Sequence, residues 1–402
     1  MKKVLQNAAI AVLGCSTLAT AIAAENAASL SDALTNNETT LGFRYRLESV
    51  DQDNALDDAL ASTLRTRLTY TSGSFLNTKL LVEYDTVTII GEKNHNDGVD
   101  GLGDHSPVVD PEGSELNQAA LMINLSDSLS STLGRQRINL GNQRFVGGVG
   151  WRQNEQTYDA ASFKLNAAST DFNYVYLQNV NDIKGTDFAN EGNNINDSHI
   201  IYVENSSIEN HKISAYAILL DSREDSAEDP TATKTLGARF EGSASIVGYT
   251  VELAKQSEYK DREPDFTATY KHAELSIKAG PAKIFAGTER LEAEDGVAFQ
   301  TALGTKHKFQ GWADMFLSTP DTGVKDNYLG ATAKFGPVNL MGVYHTFDAT
   351  ESSDAGDYGT EIDLSAGMKI GQVNALLKLA DYSADDHGVD TRKIWLMLAT
   401  QF

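Results

Sequence analysis

The chain has 402 residues, 41% of them hydrophobic, and 33 basic against 56 acidic side chains leave a net charge of −23. That sign excludes a nucleic-acid binder, which must meet phosphates with Lys and Arg. No uninterrupted apolar run of about 18 residues follows the N-terminus, which excludes a helical membrane protein but not a β-barrel, whose spanning segments are only half apolar.

Residues 1–23 begin with Lys2 and Lys3, turn apolar from Ala8 to Leu18 and end on Ala21-Ile22-Ala23. A charged start, an apolar middle and small residues at the cleavage positions describe a Sec signal peptide cut before Ala24. Its removal takes Lys2, Lys3 and the lone Cys15, leaving about 379 residues with charge −25 and no thiol chemistry. Residues 24–39 are expected to form a short periplasmic segment, followed by one domain over 40–402.

From Thr39 onward the period is two. In 41–48, Leu41, Phe43, Tyr45 and Leu47 alternate with Gly42, Arg44, Arg46 and Glu48; in 64–70, Leu64, Thr66, Leu68 and Tyr70 alternate with Arg65, Arg67 and Thr69. In chain order the expected strands are 40–50, 61–71, 78–90, 115–125, 129–138, 156–166, 170–181, 198–205 and 211–220. They continue with 233–243, 246–256, 266–278, 282–292, 325–335, 338–347, 359–370, 373–382 and 391–402. Short turns such as Gly280-Pro281 and Gly336-Pro337 alternate with long acidic connections such as 91–113 and 139–155. Short connections on one rim and long ones on the other describe an all-β, antiparallel, up-and-down transmembrane barrel with periplasmic turns and extracellular loops. The expected number of strands is 18. A further hairpin, 299–308 with 311–318, would make it 20; the favoured reading of 293–324 is a long loop folded into the lumen. In 129–138, Leu133 shares parity with Arg135 and Arg137, which demands a bulge or a position at the mouth.

Arg44, Arg46, Arg65 and Arg67 fall on the polar face of two neighbouring strands, where adjacent chains lie about 4.8 Å apart. Guanidinium groups keep their charge and bind carboxylates bidentately, so this patch would attract small anions such as uronates or organic acids. The competing reading is a wall ladder that pairs them with Glu48, Glu83 and Asp85. Arg135, Arg137, Arg144, Arg152 and Glu155 surround Gly147-Gly148-Val149-Gly150-Trp151, a candidate constriction loop. In 293–324, Trp312 could stack on a sugar ring and Asp314 accept from a hydroxyl, beside His307. The acidic, glycine-rich 96–104 offers oxygen ligands for Ca²⁺ but lacks the spacing of an EF-hand; no cofactor and no metal site are expected beyond that. The last strand places Ile394, Leu396, Leu398, Thr400 and Phe402 on one face, and a terminal aromatic there matches the signal read by the outer-membrane barrel assembly machinery.

Five stretches carry a family resemblance: FRYRLESVDQ (43–52), ASTLRTRLTY (61–70), GRQRINLGNQRFVGGVGWRQNEQTYDAASF (134–163), HKFQGWADMFLSTPDTGVKDNYLGA (307–331) and YGTEIDL (358–364). They resemble the alginate-export-type outer-membrane barrels of Gram-negative bacteria. The resemblance implies an 18-stranded barrel with an arginine-rich pore, and a loop rather than a hairpin at 293–324. This sequence departs from a uniformly positive pore. By the parity that turns Arg44, Arg46, Arg65, Arg67, Arg239 and Lys164 inward, Glu48, Glu83, Glu241, Glu252, Glu361 and Asp363 turn inward too.

The expected function is a water-filled outer-membrane porin for passive diffusion of small hydrophilic or anionic solutes. Alternatives are an exporter of an anionic exopolysaccharide such as alginate, a barrel enzyme, and an adhesin or receptor. No G-x-S-x-G is present. Lipid, lipopolysaccharide and small solutes are the expected partners; the sequence leaves oligomeric state open.

Overall fold

The computed structural model describes residues 26–99, 102–185, 193–222, 232–260, 265–351 and 356–402. The leader, Asp100 and Gly101 of the acidic loop, and the acidic run beyond Ser222 lie outside the described residues. Among those residues no helix is long and apolar enough to cross a membrane.

The order is α1 (Leu30–Thr35), β1 (Glu38–Gln52), β2 (Ala59–Thr71), β3 (Thr78–Ile89), β4 (Gly113–Asn124), β5 (Leu129–Gln136), β6 (Thr157–Ala167), β7 (Thr170–Asn181), β8 (Asn193–Asn205), β9 (His211–Leu220) and β10 (Thr233–Ala244). There follow β11 (Val247–Glu258), β12 (Thr267–Ala279), β13 (Ala282–Leu291), β14 (Ala293–Glu294), β15 (Val297–Ala298), β16 (Val324–Phe335), β17 (Val338–Asp348), β18 (Asp357–Ile370), β19 (Val373–Ala384) and β20 (Thr391–Gln401). Eighteen of these make one antiparallel sheet, each strand paired to its neighbours. β14 and β15 pair only with each other, inside the long loop. The sheet closes where β1 meets β20, from Gly42 opposite Gln401 to Gln52 opposite Thr391. A closed ladder is the only β arrangement that leaves no backbone donor or acceptor facing lipid.

The alternation is inverted relative to a soluble protein. Leu68, Leu121, Leu253, Leu275, Ile284, Leu329, Leu364 and Leu377 are exposed on the outer face, while Arg46, Glu48, Asp85, Glu252, Asp326 and Glu361 are buried inside. At the short end, Ala168, Ser245, Gly280, Gly336 and Gly371 each open a two-residue turn with φ between +53° and +60°. These tight hairpins fix the register of the strand pairs they join. α1 sits at that end, capped by Ser29 and held by Gly73 N–H donating to Ala33 O at 2.8 Å.

Observed strand limits lie within a few residues of those expected from alternation, and the segment 292–323 adds no barrel strand. The largest difference is β8, which starts at Asn193 rather than 198. Its first residues, Asn193-Asn194-Ile195-Asn196, lack apolar alternation but still ladder onto β7 beyond a register shift at Leu177/Asn179.

Candidate functional site: the arginine wall and the two inward loops

Arg44 on β1 stands directly opposite Arg65 on β2, and Gly42 opposite Arg67. The sequence therefore brings the four guanidiniums together, and the loop 137–156 folds onto them. Trp151, Arg152, Gln153, Asn154 and Glu155 are all buried. Arg44 donates to Gln153 Oε1 at 2.9 Å, to Gly150 O at 2.8 Å and to Arg152 O. Arg46 donates to Trp151 O and pairs with Glu48 at 2.6 Å. Arg65 donates to Gln153 O at 3.3 Å and lies 3.6 Å from Glu155. Buried carbonyls need donors, and these arginines supply them. The patch is thus a socket whose acceptors come from the chain itself.

Glu155 is the counter-charge at the centre. Arg67 reaches it at 3.0 Å while holding Asp85 bidentately at 2.7 and 2.5 Å. Arg137 also pairs with Glu155, and with Glu83 at 2.9 Å. Burial alone would raise the Glu155 carboxyl, but Arg137, Arg67 and Arg65 outweigh it and hold it well below the usual carboxylate range. Arg65, Arg67 and Arg137 nevertheless keep 12, 14 and 26% of their side chains exposed.

Arg135 is elsewhere. It pairs with Asp159 at 2.8 Å and shares the outward parity of the exposed Leu133 and Phe163. The parity conflict is resolved at the mouth, without a bulge in β5: Arg137 lies past the strand end and turns inward, and Arg135 does not line the lumen.

The segment 292–323 fills the lumen beside the first loop. Arg144 joins the two, donating to Gln310 at 2.8 Å and Thr301 at 3.3 Å and pairing with Glu289 of β13 at 2.8 Å. Glycine permits the close approach, since a Cβ on Gly147 would lie 2.2 Å from Thr305 Oγ1. Gly311, at φ +77°, packs against Glu361, whose Oε1 accepts from Trp312 N at 2.5 Å and Ala313 N at 2.8 Å.

The three tryptophans of the chain converge here. Lys378 Nζ of β19 lies 4.0 Å from the Trp151 ring centroid, 3.6 Å from Trp312 and 5.2 Å from Trp395. His307 stacks on Trp151 with centroids 4.3 Å apart and planes at 8°. Its Nδ1 donates to Asp314 at 2.7 Å and its Nε2 accepts from Lys378 at 2.8 Å, which requires the neutral ring. Asp314 also meets Arg152 and Lys393, each at 3.3 Å. Trp312 and Asp314 are therefore engaged within the protein, one by a lysine and the other by three basic partners. Lys378, Trp395 and Gln153 were not singled out from sequence. The available signal was weak: Lys378 and Trp395 have inward parity on expected strands, as do many wall residues.

This cluster is acid-sensitive by construction. Burial, reinforced by Lys378 and opposed by Asp314, pushes the His307 imidazole down to about 3 from an ordinary 6.5. The released loop takes up a proton below 6.5 and the packed loop does not, so acidification between 6.5 and 3 favours release. Asp314 and Glu155 are held below their ordinary 3.8 and 4.5, and add to the loss as pH falls through those values. Because the tryptophans sit in the cluster, their emission should shift red progressively as pH falls below 6.5. Emission unchanged down to pH 3 would contradict this.

In the acidic loop, Asp97 is buried, pairs with Lys93 at 2.6 Å and accepts from Val99 N at 3.0 Å. Asp57, Asp104 and His105 bring ligand atoms within 4.8 Å of one another at the surface.

A closed 18-stranded barrel, apolar outside, with its long loops folded inward, has the architecture of outer-membrane porins. The chain belongs to the alginate export family, whose model matches residues 39–312. It is an outer-membrane protein. Among solved structures it is similar to Pseudomonas aeruginosa OpdK in its crystal structure with vanillate, with a TM-score of 0.73 and 13% identity over 92% of this chain and 99% of that one. It is similar also to P. aeruginosa OccK9 (OpdG), at TM-score 0.70 and 15% identity over 92% and 99% of the two chains. Acinetobacter baumannii OccAB1 gives 0.70 and 13% over 94% and 99%. At these identities the likeness is one of fold. No curated protein matches the sequence.

Proposed function

We propose that the barrel is a passive channel for small hydrophilic solutes and favours those carrying a carboxylate. The observation that carries this reading is the pair of inward loops, 137–156 and 292–323, the first bound to the arginine wall and the two bound to each other. A lumen narrowed in this way suits a small solute. Arg65, whose Nε and Nη2 make no hydrogen bond among the described residues, offers the paired N–H groups that a carboxylate accepts, beside the part-exposed Arg67 and Arg137. Family membership favours a second reading, export of an anionic polysaccharide. An enzymatic role finds less support. His307 is bonded on both nitrogens, to Asp314 and Lys378, and neither partner is a hydroxyl nucleophile.

Swelling of liposomes containing the purified barrel separates the readings. Glucuronate should enter faster than glucose at matched osmolarity, and an alginate polymer should be excluded. Swelling with no small solute, or equal entry of the polymer, would contradict the proposal. Assembly belongs to the same reading. Phe402 ends the outward row of β20, 6.5 Å edge-to-face from Phe43 and 67% exposed, where assembly machinery could read it. Its deletion should lower the yield of heat-modifiable barrel.

A further inference from the structure

The charge of the chain hides a basic stripe on its outer face. Lys271 of β12 is the direct cross-strand partner of Arg290 of β13, and Arg290 of Lys325 of β16. Lys255 of β11 opposes Thr269, one outward position from Lys271, and Lys234 of β10 lies diagonally beside Lys255 through the Leu236–Lys255 pair. All five point away from the lumen, because each is flanked in sequence by inward residues. These are Thr233 and Thr235, Ala254 and Gln256, Tyr270 and His272, Glu289 and Leu291, and Val324 and Asp326, all buried except the half-buried His272. Five consecutive barrel strands therefore carry one cation each, near the rim from which the long loops leave.

Like charges facing each other across a strand pair are unfavourable unless something neutralises them. The protein supplies only part of that. Lys271 pairs with Glu292 at 2.7 Å and Lys325 with Asp348 at 2.7 Å. Lys234, Lys255 and Arg290 make no hydrogen bond or ion pair among the described residues. The depth of the stripe is also defined. Following the same outward rows toward the short-turn end leads to exposed Leu236, Leu253, Leu275, Ile284 and Leu329, the band that meets hydrocarbon. The cations thus stand just above the apolar band, at the level of the outer-leaflet headgroups.

We propose that this stripe binds the phosphate groups of outer-leaflet glycolipid directly. Unpaired Lys and Arg at a membrane surface attract anionic headgroups, each contributing roughly five-fold to affinity. A row of five, spaced by the strand separation of about 4.8 Å, can meet both phosphates of a bisphosphorylated headgroup at once. The contact needs no divalent ion, unlike a bridge made through the acidic loops.

The test uses the folded, detergent-purified barrel and lipid A carrying two phosphates, with binding read by native mass spectrometry. The dephosphorylated lipid, and the barrel with Lys255→Gln and Arg290→Gln, should each bind at least about tenfold more weakly, and EDTA should leave wild-type binding unchanged. Neither residue makes an ion pair among the described residues, so the variant should keep the heat-modifiability and conductance of the wild type. Binding indifferent to the lipid phosphates, binding unchanged in the variant, or binding abolished by EDTA would each overturn the proposal.

Discussion

Replacing Glu155 with Gln should loosen the loop 137–156, raise conductance and turn the channel toward anions. Glu155 is buried with Arg67, Arg137 and Arg65 around it. It is the one carboxylate that Arg65 reaches among the described residues. Removing one partner from a buried ion cluster costs about 3–5 kcal/mol, because the remaining charges cannot return to water without moving the structure. Gln keeps the shape and an acceptor oxygen, so the effect isolates charge. Three guanidiniums then share less compensation, and a small anion is the natural replacement. The expected result is a lower thermal midpoint, a larger single-channel current and a reversal potential moved toward the anion. An unchanged current and reversal potential would show that the cluster lies off the ion path.

The double replacement of Arg65 and Arg67 by Ala should act in the opposite direction and weaken binding of acidic solutes. Two positive charges leave the wall, and Asp85, fully buried and held among the described residues by Arg67 alone, loses both of those hydrogen bonds. Leaving that buried carboxylate unpaired should destabilise locally by about 3–5 kcal/mol, with Glu155 still anchored by Arg137. Charges on the extracellular loops lie in bulk water and are screened beyond about 8 Å at physiological salt. Wall charges act where water is confined. The net charge of −23 therefore understates the arginines, and the wild-type pore should be nearly neutral or weakly cation-selective at high salt. In the double variant the reversal potential should move toward cations, and block of the current by added glucuronate should weaken. Retained block would make the four arginines struts for the loop alone.

Most of the barrel was legible because its constraint is local. A strand that meets lipid on one side and water on the other must alternate, and Ile362, Leu364, Ala366, Met368 and Ile370 announce β18 with no knowledge of its neighbours. The arginine patch was legible for the same reason: two alternating strands joined by one loop must be adjacent. What occupies that patch was not legible. Backbone carbonyls of Gly150, Trp151, Arg152 and Gln153 have no sequence signature, and an aperiodic loop does not declare which wall it will fold against. Lys378 shows the limit most clearly. Its strand, face and charge could all be read, yet its setting among Trp151, Trp312 and Trp395 depends on two loops and two strands meeting across the lumen. Arg135 shows the converse. Its composition suggested the pore, and the strict alternation from Leu133 overruled it.

On the proposed function, Glu155 and the arginine wall form one balanced constriction on the path of permeating ions. Reversal potentials in a KCl gradient across a planar bilayer, recorded for the wild type, Glu155→Gln and the Arg65→Ala/Arg67→Ala double variant, test it most directly. The two variants should move to opposite sides of the wild type, the first toward the anion and the second toward the cation. Displacement of both in the same direction, or of neither, would contradict the account.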